Sequence, residues 1–388
     1  MIYFDYNATT PLDPDVLGAM MPYFTEHFGN AASSQHKFGW TAEFGVNKAR
    51  KQTAKMLNCD AKEIIFTGGS TESNNIVLLG LIRQQISLSK KANKPAPHLI
   101  VSVSEHKAII EPAEFLQSEG AEVTFLPVNK MGSVEVDSLK QAIKPNTFLV
   151  SIMHGNNEIG CINPIKELCK TTKDAGALFH TDASQTAGKL AIDVKGLSLD
   201  YLSLSGHKMH GPKGVGALYV SDKAPLPMSV FFGGQQERGI SPGTANVAGI
   251  VGIGKACEIY DEVRESEQKK LTEFQNKIFE ACKAHGNKLQ INGSTSNRLS
   301  NNISITFKNL NTDIMTLGFK NIACSSTSAC SSGLPVDSHV LKSIGLSSKD
   351  ISSTLRLSFG RFTTKSDIET LIKEIDQVVE KNIAISVV

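Results

Sequence analysis

The sequence lacks the features by which a membrane or secreted protein is usually known. None of its apolar stretches approaches the roughly 20 residues needed to cross a bilayer, and we expect no targeting segment before the first motif. Its seven cysteines are an odd number, scattered without the paired spacing of metal ligands. We therefore expect reduced cysteines in a cytoplasmic protein.

A large excess of charge of one sign is missing as well. Lysine and arginine total 40 against 38 aspartates and glutamates, a net charge of +2, so no broad basic surface for nucleic acid or an anionic membrane is expected. The chain also has no internal repeat and no low-complexity tail. We expect small-molecule ligands instead. With 388 residues and 40% hydrophobic content, the chain can bury the cores of two domains.

The stretch from residue 201 to residue 219 holds the most informative lysine. An alternating apolar run from Tyr201 to Leu204 predicts a buried strand, which ends in small and polar residues before Lys208. Residues that force a tight return of the backbone follow, namely Gly211, Pro212, Gly214 and Gly216. A partly desolvated lysine at such a bend can lose its proton near neutral pH and react with an aldehyde, which is how pyridoxal phosphate is held. Alone, Lys208 would more often be a solvated surface lysine.

Two other strand ends favour the functional interpretation. The apolar run that starts at Leu178 leads to Asp182, and a pyridoxal ring needs a carboxylate to keep its nitrogen protonated. An earlier apolar run is followed by a glycine turn and by Ser70 and Thr71. The free N–H groups of a helix that starts there would suit a phosphate, although such a turn can also be only a helix cap. Together with Lys208, these positions predict a pyridoxal phosphate site.

Apolar runs alternate with longer helical or polar intervals. The predicted strands of this part are Glu63–Phe66, Leu99–Val103, Val123–Leu126, Phe148–Met153, Ala177–His180 and Leu199–Leu204. The alternation is typical of an α/β protein with a mostly parallel sheet, which binds ligands at the carboxyl ends of its strands. The residues just past these runs are therefore predicted to share one pocket: Gly68, His106, Asn157, Asp182 and Lys208.

The remaining pattern predicts a second, smaller α+β domain. Its strands are predicted at Asn302–Phe307 and Ser353–Phe359, and its closing helix at Ser366–Lys381. Earlier in the chain, helices are predicted at Pro14–Phe24, Thr41–Leu57 and Val251–His285. We place the domain boundary inside Val251–His285. The prediction is a large cofactor-binding domain at 15–260 and a small domain made of 1–14 and 261–388.

Six short motifs resemble those of a known family. They are Asp5-Tyr-Asn-Ala-Thr-Thr-Pro11, Gly69-Ser-Thr-Glu-Ser-Asn-Asn75, Ser104-Glu-His-Lys107, Asn156-Asn-Glu-Ile-Gly160, Ser205-Gly-His-Lys208 and Ser328-Ala-Cys-Ser331. In this order and spacing they resemble the cysteine desulfurases of the NifS/IscS-like branch, which are class V, fold-type I pyridoxal phosphate enzymes. The likeness runs to about Phe362, and it implies that the N-terminal segment packs on the small domain.

The resemblance also implies a role for individual residues. The implied phosphate ligands are Ser70, Thr71, Ser205, His207 and, reaching the phosphate held by the partner subunit, Thr244. The implied ring contacts are Lys208 on the aldehyde, Asp182 on the ring nitrogen, Gln185 on the phenolic oxygen, and His106, which stacks on the ring and assists proton transfer. The implied substrate contacts are Asn30, Asn157, which also touches the cofactor, and Arg356, which clamps the substrate carboxylate.

A second reactive group is predicted between the strands of the small domain. The stretch from Ile322 to Pro335 is rich in serine, alanine and glycine and carries two cysteines, a composition that favours a mobile loop. Cys330 matches the family nucleophile. Cys324 ends an apolar run and is predicted to be buried and inert.

The implied activity is removal of sulfur from L-cysteine. Lys208 would take the α-proton, Cys330 would take the sulfur as a persulfide, and alanine would leave. The implied partners are a homodimer mate and an acceptor, either an iron–sulfur scaffold or a sulfur carrier. No resident metal is implied, although Cys330 is suited to ligating an iron–sulfur cluster transiently.

Departures from the family pattern and rival hypotheses remain. Ala31 stands where a proline is usual, and Ser241 stands where an arginine is common, so Arg238 is the alternative cation there.

One rival functional hypothesis is another class V enzyme, an aminotransferase or a selenocysteine lyase, and Cys330 argues against transamination. The other is a non-catalytic binding module, which has no need to keep Lys208 and Asp182.

Overall fold

The computed structural model describes residues 1–308, 319–326 and 337–386. Cys330 and the rest of 327–336 lie outside the described residues. The strands are β1 Ile2–Tyr3, β2 Ile64–Thr67, β3 His98–Ser102, β4 Glu122–Leu126, β5 Thr147–Ser151, β6 Leu178–Asp182, β7 Tyr201–Ser205, β8 Gly216–Val220, β9 Leu289–Ile291, β10 Asn302–Phe307, β11 Ile322–Ala323, β12 Ser325–Ser326 and β13 Thr354–Ser358. The α-helices are α1 Pro14–Met20, α2 Pro22–Thr25, α3 Lys37–Leu57, α4 Ser70–Ala92, α5 Lys107–Ser118, α6 Val136–Ala142, α7 Ile165–Asp174, α8 Val247–Ala284, α9 His339–Ser343, α10 Ser348–Ser352 and α11 Lys365–Ser386.

Seven strands form one large sheet in the order β2-β8-β7-β6-β5-β3-β4. β8 runs antiparallel to both of its neighbours, and the other adjacent pairs are parallel. β2, β3, β7 and β8 are buried along their whole length, as expected where helices cover both faces of a sheet. The predicted α/β fold with a mostly parallel sheet is confirmed.

The single helix predicted at Pro14–Phe24 is wrong in one respect. The structure ends α1 at Met20 and begins α2 at Pro22. Proline has no backbone N–H and is favoured in the first turn of a helix, so Pro22 restarts the helix rather than continuing it.

Helix α8 joins two apolar cores. Its first half buries Ile253 and Cys257 in the core that also contains α3 and one face of the large sheet. Its second half buries Phe274 and Ile278 in the core of the small sheet. The proposed domain boundary at residues 260 and 261 falls within this helix, and the division remains a prediction.

The small sheet has four antiparallel strands in the order β12-β13-β10-β9. β1 pairs in parallel with β11, and Phe4 is buried in the same core as Phe359. The N-terminal segment therefore lies between the small sheet and the carboxyl edge of the large one.

In the described parts of the chain, no helix combines the length and the apolar character required to span a bilayer.

Candidate active site

The candidate site lies at the carboxyl ends of the strands of the large sheet. Asp182 is the last residue of β6, and Lys208 closes the 3-10 turn that follows β7. His106 precedes α5, and Gly69 precedes α4. The large sheet thus places three of the predicted functional residues, Asp182, Lys208 and His106, at the same edge as the start of α4.

Lys208 points its amine at the N-terminal segment. Its Nζ donates to the carbonyl oxygens of Asn7 and Ala8, each at 2.7 Å. Burial, with the charge of Arg356 adding to it, lowers the pKa of Lys208 to about 8 against the opposing effect of Asp182. A useful fraction of this amine is therefore unprotonated near neutral pH, as a nucleophile or a base requires.

Asp182 is a buried carboxylate held by three hydrogen-bond donors. Its Oδ2 accepts from Asn74 Nδ2 at 2.7 Å, and its Oδ1 accepts from the backbone N–H of Ser184 at 2.8 Å and from the Ser184 hydroxyl at 2.5 Å. Donors on both oxygens fix the plane of the carboxyl group. Asn74 and Ser184 were missed at the sequence level, although both lie in or beside predicted motifs.

His106 lies close enough to Lys208 and Asp182 for the charge of each to act on its pKa. Its Nδ1 accepts from the backbone N–H of Ala108 at 3.1 Å, so the ring is held by the start of α5. Its side chain is exposed, yet desolvation by the surrounding protein lowers the pKa of His106, with Lys208 and His339 adding to the effect and Asp182 opposing it. The structure favours a neutral imidazole at this position.

An open cavity of about 920 Å³ lies at the start of α4. Its lining includes predicted phosphate ligands, together with glycines and two cations: Gly68, Gly69, Ser70, Thr71, Ser205, His207, Lys213 and Arg83. Gly69 has φ +152°, a conformation that other residues rarely adopt, and it has no side chain to cap the helix. The first N–H groups of α4 are thus available to an anion.

Arg356 lies on β13 and is nearly buried. Its Nη2 donates to Asp5 Oδ1 at 2.7 Å and to Ser325 Oγ at 2.9 Å, while its Nε is buried with no hydrogen-bond partner among the described residues. The charge of Arg356 lowers the pKa of Lys208, so the guanidinium lies close to the lysine. Asp5 was not predicted as its partner.

Asn7 connects the parts of the site and was missed at the sequence level. Its carbonyl oxygen accepts from Lys208 and, at 3.0 Å, from Gln185 Nε2. Its side chain donates to Asn157 O at 3.0 Å and accepts from Asn301 Nδ2 at 3.0 Å. Asn7 could have been noticed because it is a polar residue of the first family motif for which no role was predicted.

Two predicted residues, Thr244 and Asn30, are not among those that line the cavity at the start of α4. Thr244 and Ser241 line a cavity of about 190 Å³ that adjoins it through Gly68 and Gly214. Asn30 is exposed, and its Oδ1 accepts from the backbone N–H of Ala32 at 2.9 Å. Cys330 lies outside the described residues. Arg238 donates to Lys62 O at 3.1 Å.

Cys324 has an environment unlike that of a reactive thiol. It lies between β11 and β12 and is partly buried against the core of the small sheet, whereas the sequence predicted a buried residue. Desolvation raises its pKa to about 12, with Asp5 contributing. At neutral pH it is a protonated thiol, which is a poor nucleophile.

Across the described ranges, no three His, Cys, Asp or Glu side chains converge in a way that could hold a metal ion.

Comparison with known proteins identifies the family of this chain. The sequence model of the Aminotransferase class-V family matches residues 2–371. The cysteine desulfurase IscS of Anaeromyxobacter sp. (strain Fw109-5) is 42% identical over 381 residues, which cover 98% of this chain and 93% of that protein. The chain belongs to the cysteine desulfurases of the class-V aminotransferase family.

Solved structures of similar proteins agree with this assignment. A NifS-like protein is 33% identical with a TM-score of 0.88, and the alignment covers 98% of this chain and 99% of that one. SspA in complex with cysteine is 35% identical with a TM-score of 0.82, covering 94% of this chain and 100% of that one. The likeness of this desulfurase to both structures supports the predicted fold-type I architecture.

Proposed function

We propose that this protein is a pyridoxal phosphate-dependent enzyme that removes sulfur from L-cysteine. The observation that carries the proposal is the position of Lys208, an amine with a lowered pKa that shares one sheet edge with Asp182, His106 and an anion-accepting cavity. The solved relative SspA is described in complex with cysteine, which supports cysteine as the substrate here.

The residues present fit the proposed cofactor. The cavity beside α4 has room for a phosphate, and the absence of side-chain atoms at Gly69 leaves the first turn of α4 open. Ser70, Thr71, Ser205 and His207 supply donors around it. Asp182 offers a fixed carboxylate for a protonated ring nitrogen, and Lys208 offers the amine for an aldehyde.

Each residue then has a task in the reaction. Bound pyridoxal phosphate supplies an electron sink for the bond that is broken beside the substrate amino group. Lys208 Nζ takes the proton from the substrate α-carbon, and His106 assists proton transfer as a neutral imidazole. Asp182 holds the proton of the ring nitrogen, and Arg356 binds the substrate carboxylate in place of one of its present contacts.

The sulfur is proposed to leave on Cys330. Its thiolate forms an S–S bond with the substrate sulfur as the bond between that sulfur and the β-carbon breaks. The electron pair of the broken bond stays on the β-carbon, which gains the proton that the substrate thiol loses, and Lys208 returns a proton to the α-carbon. One cysteine and one enzyme thiolate thus give one alanine and one enzyme persulfide, with no outside oxidant or reductant.

We further propose a cytoplasmic homodimer that passes its sulfur to a scaffold or carrier protein. Helix α3 exposes Phe38, Trp40 and Phe44, with Phe28 beside them, and a second copy of the chain would cover such a face. Thr244 lines a cavity that adjoins the Ser70 pocket of its own chain through Gly68 and Gly214, and its proposed role at the phosphate of the partner subunit rests on the family resemblance.

One assay tests the proposal. The purified protein with pyridoxal phosphate and L-cysteine, without a keto acid, is expected to release one alanine for each sulfur that appears as persulfide or, with a thiol reductant, as sulfide. Alanine formation that requires a keto acid would instead identify an aminotransferase.

A further inference from the structure

Lys189 contacts both of the turns that carry Gln185 and Lys208. Its Nζ donates to the backbone oxygen of Gln185 at 2.9 Å and lies 3.5 Å from the Gln185 Oε1 and 3.4 Å from the backbone oxygen of Lys208. Its own carbonyl accepts from Gln268 of α8 at 2.6 Å. The oxygens that face Lys189 Nζ thus belong to two predicted site residues, Gln185 and Lys208. The Gln268 contact joins this region to α8.

Two neighbours limit how the Gln185 amide can point. Asn7 O can only accept, and the Gln185 Nε2 donates to it at 3.0 Å. Lys189 Nζ keeps N–H donors whether or not it is charged, and it lies 3.5 Å from the Oε1 at the other end of the amide. Without Lys189, Asn7 O alone orients the amide, and one of its two fixed ends is lost.

We propose that Lys189 is a positioning residue that fixes the Gln185 amide with its N–H donors toward the cofactor. The inference rests on the proposed function, in which Gln185 contacts the phenolic oxygen of pyridoxal phosphate. A donor held against that oxygen stabilises the form of the bound cofactor that has lost its titrating proton. Lys189 therefore sets the pH at which the bound cofactor changes protonation, without touching it.

The charged groups that act on Lys189 are one cation, Lys208, and one carboxylate, Glu267. Burial lowers the pKa of Lys189 to about 7, with the charge of Lys208 second and Glu267 opposing. His207 and His210 also face it, and burial lowers the pKa of each to about 4, so both are neutral at pH 7. The direct acceptors of Lys189 are carbonyl oxygens, which bind an uncharged amine as well as a charged one.

The test follows the visible absorption band of the holoenzyme against pH. In Lys189→Met, the pH midpoint of the band is expected to rise by about one unit, and the affinity of the cofactor-free protein for pyridoxal phosphate is expected to fall several-fold. Lys189→Arg keeps a charged donor and is expected to titrate close to the wild type. Lys189→Leu, with the same expected shift, replaces the methionine variant if that variant does not fold by circular dichroism.

A double-mutant cycle separates positioning from a direct effect of charge. If Lys189 acts through Gln185, Lys189→Met adds no further shift to the midpoint of Gln185→Ala. Shifts that simply add, or a Lys189→Met variant that titrates like the wild type, would overturn the inference. A wild-type protein with no visible band after incubation with pyridoxal phosphate would contradict the proposed function instead.

Discussion

The amine of Lys208 lies 2.7 Å from the carbonyl oxygen of Asn7, although 201 positions separate the two residues in the chain. The same oxygen accepts from Gln185, so the N-terminal segment holds two site residues that follow different strands. The position of Lys208 thus depends on residues before α1 as well as on the strand that carries it.

Because its pKa is lowered, Lys208 is expected to become reactive at a lower pH than an ordinary lysine. In the cofactor-free protein, its modification by an amine-reactive reagent is expected to reach half of its maximal rate near pH 8, because the protonated amine below that pH cannot attack. Exposed Lys195 is the control, because its hydrogen bond to Asp60 raises its pKa and its reactivity should rise at a higher pH. Peptide mass mapping follows both residues, and a midpoint shared with Lys195 would contradict the assignment.

Asp182→Asn is expected to fold but to slow proton removal from the substrate. An amide replaces one acceptor oxygen by a donor and cannot hold a proton on a ring nitrogen as a carboxylate does. We expect exchange of the substrate α-proton with deuterated solvent, followed by NMR, to slow about tenfold or more. The exposed Asp193 gives the control variant Asp193→Asn, which should exchange at the wild-type rate. If both variants exchange the α-proton at the same rate, Asp182 is not the residue that holds the ring nitrogen.

The two cysteines of the region from 322 to 335 are expected to behave oppositely. Cys330→Ser should retain α-proton exchange but form no persulfide and no alanine, because a serine hydroxyl is too weak a nucleophile to attack sulfur. Cys324→Ser should keep its activity and lose on the order of 1–3 kcal/mol of stability through the buried hydroxyl. Mass spectrometry after one turnover locates the added sulfur, and its presence on Cys324 would reverse the assignment.

Arg356→Lys is expected to weaken binding of cysteine. A lysine cannot replace the planar two-pronged contact of a guanidinium with a carboxylate, so KM should rise about tenfold, equivalent to ~1.4 kcal/mol. Arg361→Lys is the matched control, because Arg361 pairs with Asp13 and Glu267. It should lower the melting temperature while KM stays near the wild-type value. A KM unchanged in Arg356→Lys would leave that arginine a structural partner of Asp5.

The sequence predicted the strand ends better than the contacts between distant segments. Asp182 and Lys208 follow apolar runs whose period is visible locally, so their place at one sheet edge could be foreseen. The hydrogen bonds of Asn7 with Asn157 and Gln185 join residues 150 and 178 positions apart, and the pair of Arg356 with Asp5 joins residues 351 positions apart. No local sequence pattern encodes such pairs. The break at Pro22 was readable from its missing N–H.

The bond from the Asn7 backbone N–H to Ser358 Oγ spans 351 positions, which has a consequence for folding during synthesis. At about 5–20 residues per second, the ribosome needs roughly 20–70 s to make the chain between them. Until then the early segment lacks Ser358, and the carbonyl groups that meet Lys208 lack part of their anchorage. The last strand of the large sheet ends at Val220. A nascent chain can therefore form this sheet well before the carbonyl groups that bind Lys208 are fully anchored.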